Sequence, residues 1–110
     1  MCRGYIRNVE TAPRDRPAKH TVLREFTRDV DAPPETVLAA LPGTRYDSLV
    51  VDQGEWWYRA EYRVQARDGG SRVGLSIVNV AQQLHWSAPL AGRRELADAE
   101  RAFEALLAAV

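Results

Sequence analysis

The sequence predicts an α+β domain in which a curved antiparallel β-sheet packs around a long C-terminal helix. Three observations carry that reading. Residues Glu55 to Arg67 alternate apolar and charged side chains with a period of two, Asp68-Gly69-Gly70 separates them from a second alternating run, and Arg93 to Val110 carries apolar residues at three- and four-residue steps. At 110 residues the chain has room for one hydrophobic core, so the economical division is a flexible arm over 1–20 and a single domain over 21–110.

Taken in order, Met1 to His20 mixes arginines with Pro13 and Pro17 and shows neither apolar period, which predicts the arm. Thr21 to Val30 is rich in β-formers and predicts a first strand. Val22, Phe26 and Val30 share one face, and Arg24 and Arg28 break its alternation. Asp31-Ala32-Pro33-Pro34-Glu35 is a helix start: an acidic cap, prolines suited to a first turn without intrahelical N–H partners, and a carboxylate near the positive helix end. The short helix directs Val37, Leu38 and Leu41 to a core and stops at Pro42-Gly43.

Asp47 to Asp52 then predicts a short strand, Gln53-Gly54 a turn, and Glu55 to Arg67 a long strand. Its inward set is Trp56, Tyr58, Ala60, Tyr62, Val64 and Ala66, and its outward set Glu55, Trp57, Arg59, Glu61, Arg63, Gln65 and Arg67. Beyond the glycine turn, Val73, Leu75 and Ile77 point inward again. The phase changes at Val78 and Val80, which indicates either a bulge or a strand covered on both faces. Ala81 to Gly92 reads as an irregular connection. In the final helix Leu96, Ala99, Phe103, Leu106, Leu107 and Val110 form the stripe that packs on the sheet.

Composition removes several function classes. Fifteen basic and fifteen acidic residues cancel, so no global field draws nucleic acid. The single cysteine, Cys2, cannot form an internal disulfide. The uncharged stretch from Val73 to Gly92 holds Asn79, Gln82, Gln83, His85 and Pro89, which argues against membrane insertion. The start of the chain lacks the apolar run of a secretion signal, and a cytoplasmic location is expected. His20 and His85 stand far apart in sequence, so neither a metal site nor a cofactor is expected, and no Gly-x-Ser-x-Gly elbow or phosphate-binding glycine loop is present.

The run Val30-Asp31-Ala32-Pro33-Pro34-Glu35-Thr36-Val37, the turn Gly69-Gly70-Ser71-Arg72-Val73 entering a late strand, and the closing amphipathic helix together resemble the START-like, or helix-grip, superfamily (SRPBCC) that includes Bet v 1 relatives and polyketide cyclases. Gly54-Glu55-Trp56-Trp57-Tyr58-Arg59 followed by Val78-Asn79-Val80-Ala81 resembles short bacterial members. The likeness covers roughly Thr21 to Val110. It implies a sheet wrapped on the terminal helix and a cavity between them for a hydrophobic molecule. The chain departs from the pattern by being short, which implies fewer strands and a smaller or filled cavity.

Candidate site residues follow from these elements. Trp56, Tyr58 and Tyr62 share a face and can line a pocket in which rings stack on a ligand and phenols donate hydrogen bonds; the competing reading is core packing. Trp57 falls on the charged face, covered by the arm or by a second subunit. Arg59, Glu61, Arg63 and Arg67 form a row that reads as a solvated face or, less simply, as a clamp for an acidic ligand. His85 is the candidate general acid or base, with Tyr58 or Tyr62 as its partner; an exposed loop histidine is the competing reading. Asn79 reads as a buried amide serving backbone groups or as a pocket donor, while Trp86 near the cavity mouth and Phe103 on the helix complete the ligand-contact set. The expected function is binding of a hydrophobic or aromatic small molecule between sheet and helix, extending to polyketide-cyclase-like catalysis. The alternative is a non-catalytic interaction or homodimerising module with a filled core.

Overall fold

A computed structural model describes residues 12–54 and 56–110; the expectations for residues 1–11, Cys2 among them, and for Glu55 lie outside the described residues. The chain is α+β. Strands β1 (Thr21–Val30), β2 (Thr44–Tyr46), β3 (Leu49–Gly54), β4 (Tyr58–Arg67) and β5 (Gly70–Asn79) form one open antiparallel sheet in the order β1-β5-β4-β3-β2. Helix α1 (Pro34–Ala40) follows β1. A single 3-10 turn (His85–Ser87), the short α2 (Ala88–Ala91) and the long α3 (Arg93–Ala108) close the chain.

Turn chemistry sets the register. Between β4 and β5 the two residues Asp68 and Gly69 reverse the chain, with Gly69 at φ +78°, and Arg67 pairs with Gly70. Asp47, at φ +55°, makes the equivalent reversal between β2 and β3, a left-handed conformation that a short polar side chain tolerates. β2 is absent from the sequence reading because three residues, Thr-Arg-Tyr, carry too little alternation to register as a strand.

One face of the sheet is the core face. Phe26, Leu75, Tyr62 and Val50 lie side by side across β1, β5, β4 and β3, and α1 and α3 cover them with Val37, Leu38, Leu96, Ala99, Phe103 and Leu107. The Phe103 ring sits 6.4 Å from Phe26 and 6.3 Å from Tyr62 between centroids, so the helix stripe reaches the middle of the sheet. Arg28 reaches from β1 to Glu100 and Glu104, tying the edge strand to α3.

The phase change read at Val78 is burial on both faces of β5: Ile77 and Val78 are both buried while the register with β4 runs unbroken. The bulge lies instead on the neighbouring β1, where Val22 pairs with Val78 but Arg24 with Ile77. The extra residue, Leu23, packs against the core, and Val22 is moved to the outer face. That corrects the grouping of Val22 with Phe26 and Val30.

The structure also reverses the two tryptophans. β3 runs on to Gly54, the chain turns at Trp56-Trp57, and β4 starts only at Tyr58, so the alternation of β4 does not extend back to these residues. Trp57 is 3% exposed and belongs to the core, its indole against Gly92, whereas Trp56 is 48% exposed. The Val80 N–H donates to the Trp57 carbonyl at 2.8 Å and holds the turn beside the end of β5.

The outer face is not uniformly solvated either. Arg59 and Glu61 are buried because residues 12–16 run across them. The Ala12 N–H donates to Thr44 Oγ1 at 3.1 Å and the Tyr46 hydroxyl donates to the Ala12 carbonyl. Arg59 donates to the Pro13 and Arg14 carbonyls, and Arg16 grips Glu61 with two bonds of 2.9 and 2.7 Å. Main-chain carbonyls are strong acceptors, and a guanidinium with five N–H groups is suited to gather them. Arg63 and Arg67 remain exposed.

Candidate functional site

The core face leaves a gap where α3 lifts away from β4 and β5. Cross-strand pairing places Leu75 beside Tyr62, Ile77 beside Ala60, and Asn79 beside Tyr58, so the floor alternates bulky rings with a small residue. The result is an open cleft of about 530 Å³ with Tyr58, Tyr62, Leu75 and Ile77 as floor, Ala99, Ala102, Phe103 and Leu106 as the helix wall, and Arg94, Glu95 and Asp98 at the rim. This size falls within the range of small-molecule pockets.

Both phenols are neutral donors. Burial pushes Tyr62 well above the usual tyrosine range, with Tyr58 and the Asp52 carboxylate adding to the effect. Tyr58 is raised by the same burial and by Asp52. Tyr62 is 6% exposed and lines the cleft, yet its hydroxyl has no hydrogen-bond partner among the described residues. An acceptor on a molecule bound in the cleft would satisfy it.

Three of the sequence candidates, Tyr58, Tyr62 and Phe103, therefore meet in one cleft. The others stand elsewhere. Trp56 and Trp86 are solvent-exposed at turns and are absent from the cleft lining. Asn79 is buried at the end of β5, where its Nδ2 donates to the His85 carbonyl at 2.8 Å and its Oδ1 accepts from the Ala81 N–H at 3.0 Å. His85 is held by the same corner: its Nδ1 donates to the Ala81 carbonyl at 2.7 Å, and in the neutral ring Nε2 accepts from the Thr21 hydroxyl at 2.9 Å. Both ring nitrogens are engaged, and neither phenol is among their partners. The proposed acid–base set of His85 with Tyr58 or Tyr62 is not assembled in this arrangement.

Sequence reasoning did not single out Arg94, Glu95 and Asp98, or Asp52. Glu95, Asp98, Ala102 and Leu106 recur at three- and four-residue steps beside the core stripe of α3, a flank that the periodicity already contained. Asp52 shares the parity of Val50 in β3 and so faces inward, opposite Ala60 and diagonal to both tyrosines. Burial raises its carboxyl above the ordinary value.

A wider depression of about 810 Å³ lies on the outer face, lined by Arg14, Arg16, Arg45, Glu61, Arg63 and neighbouring polar residues. Each of its arginines already has a carboxylate partner within the chain: Arg16 and Arg63 share Glu61, Arg14 meets Asp15 and Arg45 meets Glu35. That leaves little for an ionic ligand to gain there, so the inner cleft is the stronger candidate. Among the described residues no group of three or more His, Cys, Asp or Glu is placed to hold a metal, and no helix is long and apolar enough to cross a membrane. No family model, curated protein or solved structure matches the chain.

Proposed function

We propose that this protein binds an apolar or aromatic small molecule in the cleft between the sheet and α3, as a reduced helix-grip domain of the START-like kind. The observation that carries the reading is Tyr62, a buried side chain in the floor of a mostly apolar cleft, whose hydroxyl has no partner among the described residues. Support for the fold part comes from the adjacency of β1 and β5, the first and last strands, under a long terminal helix. The function proposed is binding rather than turnover, because His85 is occupied at the β5 corner and buried neutral phenols are poorly matched to proton transfer near neutrality.

Native mass spectrometry of the purified protein, with extraction of any retained compound, tests the reading. Ala102 is exposed and lines the cleft, so Ala102→Trp fills the space from the helix side without entering the core. A retained apolar species that is lost in Ala102→Trp is the expected result. An empty wild-type protein whose Tyr62 ring resonances do not move with any apolar aromatic probe would sink it.

A second reading, a protein-docking or homodimerising module, is favoured by the exposure of Leu84, Trp86 and Leu90 in the turns before α3 and of Trp56 between β3 and β4. Pairing through the β1 edge is disfavoured, since Arg24 and Arg28 donate to the Leu23 and Thr27 carbonyls and occupy acceptors that an incoming strand would need. Light scattering of wild type and of a Trp86→Ser variant separates this reading: a dimer that dissociates in the variant supports it, and a monomer at all concentrations removes its homodimer form.

A further inference from the structure

We infer that the ligand of the cleft is an amphipathic organic cation, an ammonium group carried on an apolar body; this rests on the small-molecule reading above and narrows its substrate class. Three features of different origin point to positive charge. The rim of the cleft holds two carboxylates, Glu95 and Asp98, against one guanidinium, Arg94. Asp98 also meets Arg101 at 3.4 Å, while Glu95 has no ion pair among the described residues. Beside the floor, though not in the cleft lining itself, Asp52 is half-buried on the core face of β3, diagonal to Tyr58 and Tyr62, and its carboxylate has neither an ion pair nor a side-chain hydrogen bond among the described residues. A half-buried carboxylate without a partner is an unfavourable arrangement that a cation nearby would relieve. Floor and helix wall carry the rings of Tyr58, Tyr62 and Phe103, and an aromatic face attracts an ammonium group and repels a carboxylate. The Tyr62 hydroxyl, unpartnered among the described residues, can accept a hydrogen bond from the same group.

An anionic ligand meets the opposite arrangement. Arg94 alone would attract it, and Glu95, Asp98 and Asp52 would each oppose it. A neutral apolar ligand would leave Asp52 as it stands. The cation is the one class that improves the surroundings of all three carboxylates, with Arg94 and the Asp98 partner Arg101 the groups that oppose it.

The test uses three probes sharing one apolar body, 4-phenylbutylamine, 4-phenylbutan-1-ol and 4-phenylbutyrate, titrated into the full chain by calorimetry with the Tyr58 and Tyr62 resonances as site reporters. The expected order is amine first, with a preference of roughly ten-fold over the carboxylate. Glu95→Gln, at an exposed helix position, and Asp52→Asn, checked for folding by thermal melting, should each shrink that preference toward unity. A carboxylate that binds as tightly as the amine, or a preference unchanged in both variants, overturns the cation while leaving the cleft as a binding site. If none of the three moves either tyrosine, the small-molecule reading falls and this inference falls with it.

Discussion

Arg59 Nε donates to Glu61 Oε2 at 2.7 Å across the outer face of β4, with both side chains buried beneath residues 12–16. The pair is completed by Arg16 and Arg63, which also donate to Glu61, and by the Pro13, Arg14 and Gln53 oxygens, which accept from Arg59. Removing one member strands the others. Glu61→Ala should lower unfolding free energy by roughly 3–5 kcal/mol, the cost of leaving a buried charge uncompensated. An exposed pair would cost less than about 1 kcal/mol. Urea denaturation checks this, and an Arg59→Met, Glu61→Leu double variant should recover much of the loss. A Glu61→Ala protein as stable as wild type would mean that residues 12–16 do not cover this pair in solution.

The same carboxylate makes stability depend on acidity. Burial alone would raise the Glu61 pKa, but the hydrogen bonds and charges of Arg16, Arg59 and Arg63 outweigh it and hold the group at about 2, below its ordinary value of 4.5. A carboxylate with a depressed folded pKa binds fewer protons folded than unfolded. Its contribution is therefore complete above about 4.5 and is lost as pH falls toward 2. Urea midpoints measured from pH 6 down to 2.5 should drop through this window in wild type and drop less in Glu61→Gln, which cannot titrate. Parallel curves would assign the acid sensitivity to Asp29 and Glu35, whose pKa values are also lowered by arginine partners.

Gly92 joins α2 to α3 at a point where a β-carbon would run into the indole of Trp57. Its backbone, at φ −100°, is open to any residue, so packing alone forbids a side chain there. Gly92→Ala should cost about 1–3 kcal/mol, the usual range for overpacking. Because Trp57 is the buried tryptophan while Trp56 and Trp86 are exposed, the displacement should also appear as a red shift and a loss of near-ultraviolet ellipticity. An unchanged thermal midpoint would show that α2 moves freely enough to absorb the methyl group.

What the sequence made legible was whatever local periodicity controls. Tyr58, Ala60, Tyr62 and Val64 of the inward set, the Asp68-Gly69 part of the glycine turn and the α3 stripe are each written in a run of neighbouring residues and stand in the structure as read, whereas Ala66 is exposed and Gly70 already belongs to β5. Three features were not local. The swap of Trp56 and Trp57 depends on where β4 begins, and two adjacent tryptophans give no alternation by which to place that boundary. The burial of Arg59 and Glu61 depends on residues 12–16, more than forty positions away, and a charged row on a strand reads as solvated until its cover is known. The β1 bulge has no counterpart in the register of β5 with β4 and depends on pairing across strands, so Leu23 could not be identified as the extra residue. For the cleft, the floor rings were legible and the rim was not: Glu95 and Asp98 look like an ordinary solvated helix flank until α3 is seen to overhang Tyr58 and Tyr62.

Tyr62→Phe and His85→Ala should separate ligand contact from architecture. The Tyr62 hydroxyl has no partner among the described residues, so its loss should not lower stability, while weakening a ligand that bonds it by roughly 0.5–1.5 kcal/mol. His85 is the reverse case. Its ring joins Thr21 at the start of β1 to Ala81 beyond β5, and its carbonyl accepts from Asn79, so Ala should remove two side-chain bonds at a net cost of roughly 1–3 kcal/mol. Affinity for a cleft ligand should hold in His85→Ala once the protein is kept folded at low temperature. Paired melting curves and titrations read both effects. If His85→Ala instead retained full stability and lost binding, the histidine would belong to the ligand site, and the corner that ties β1 to β5 would not need it.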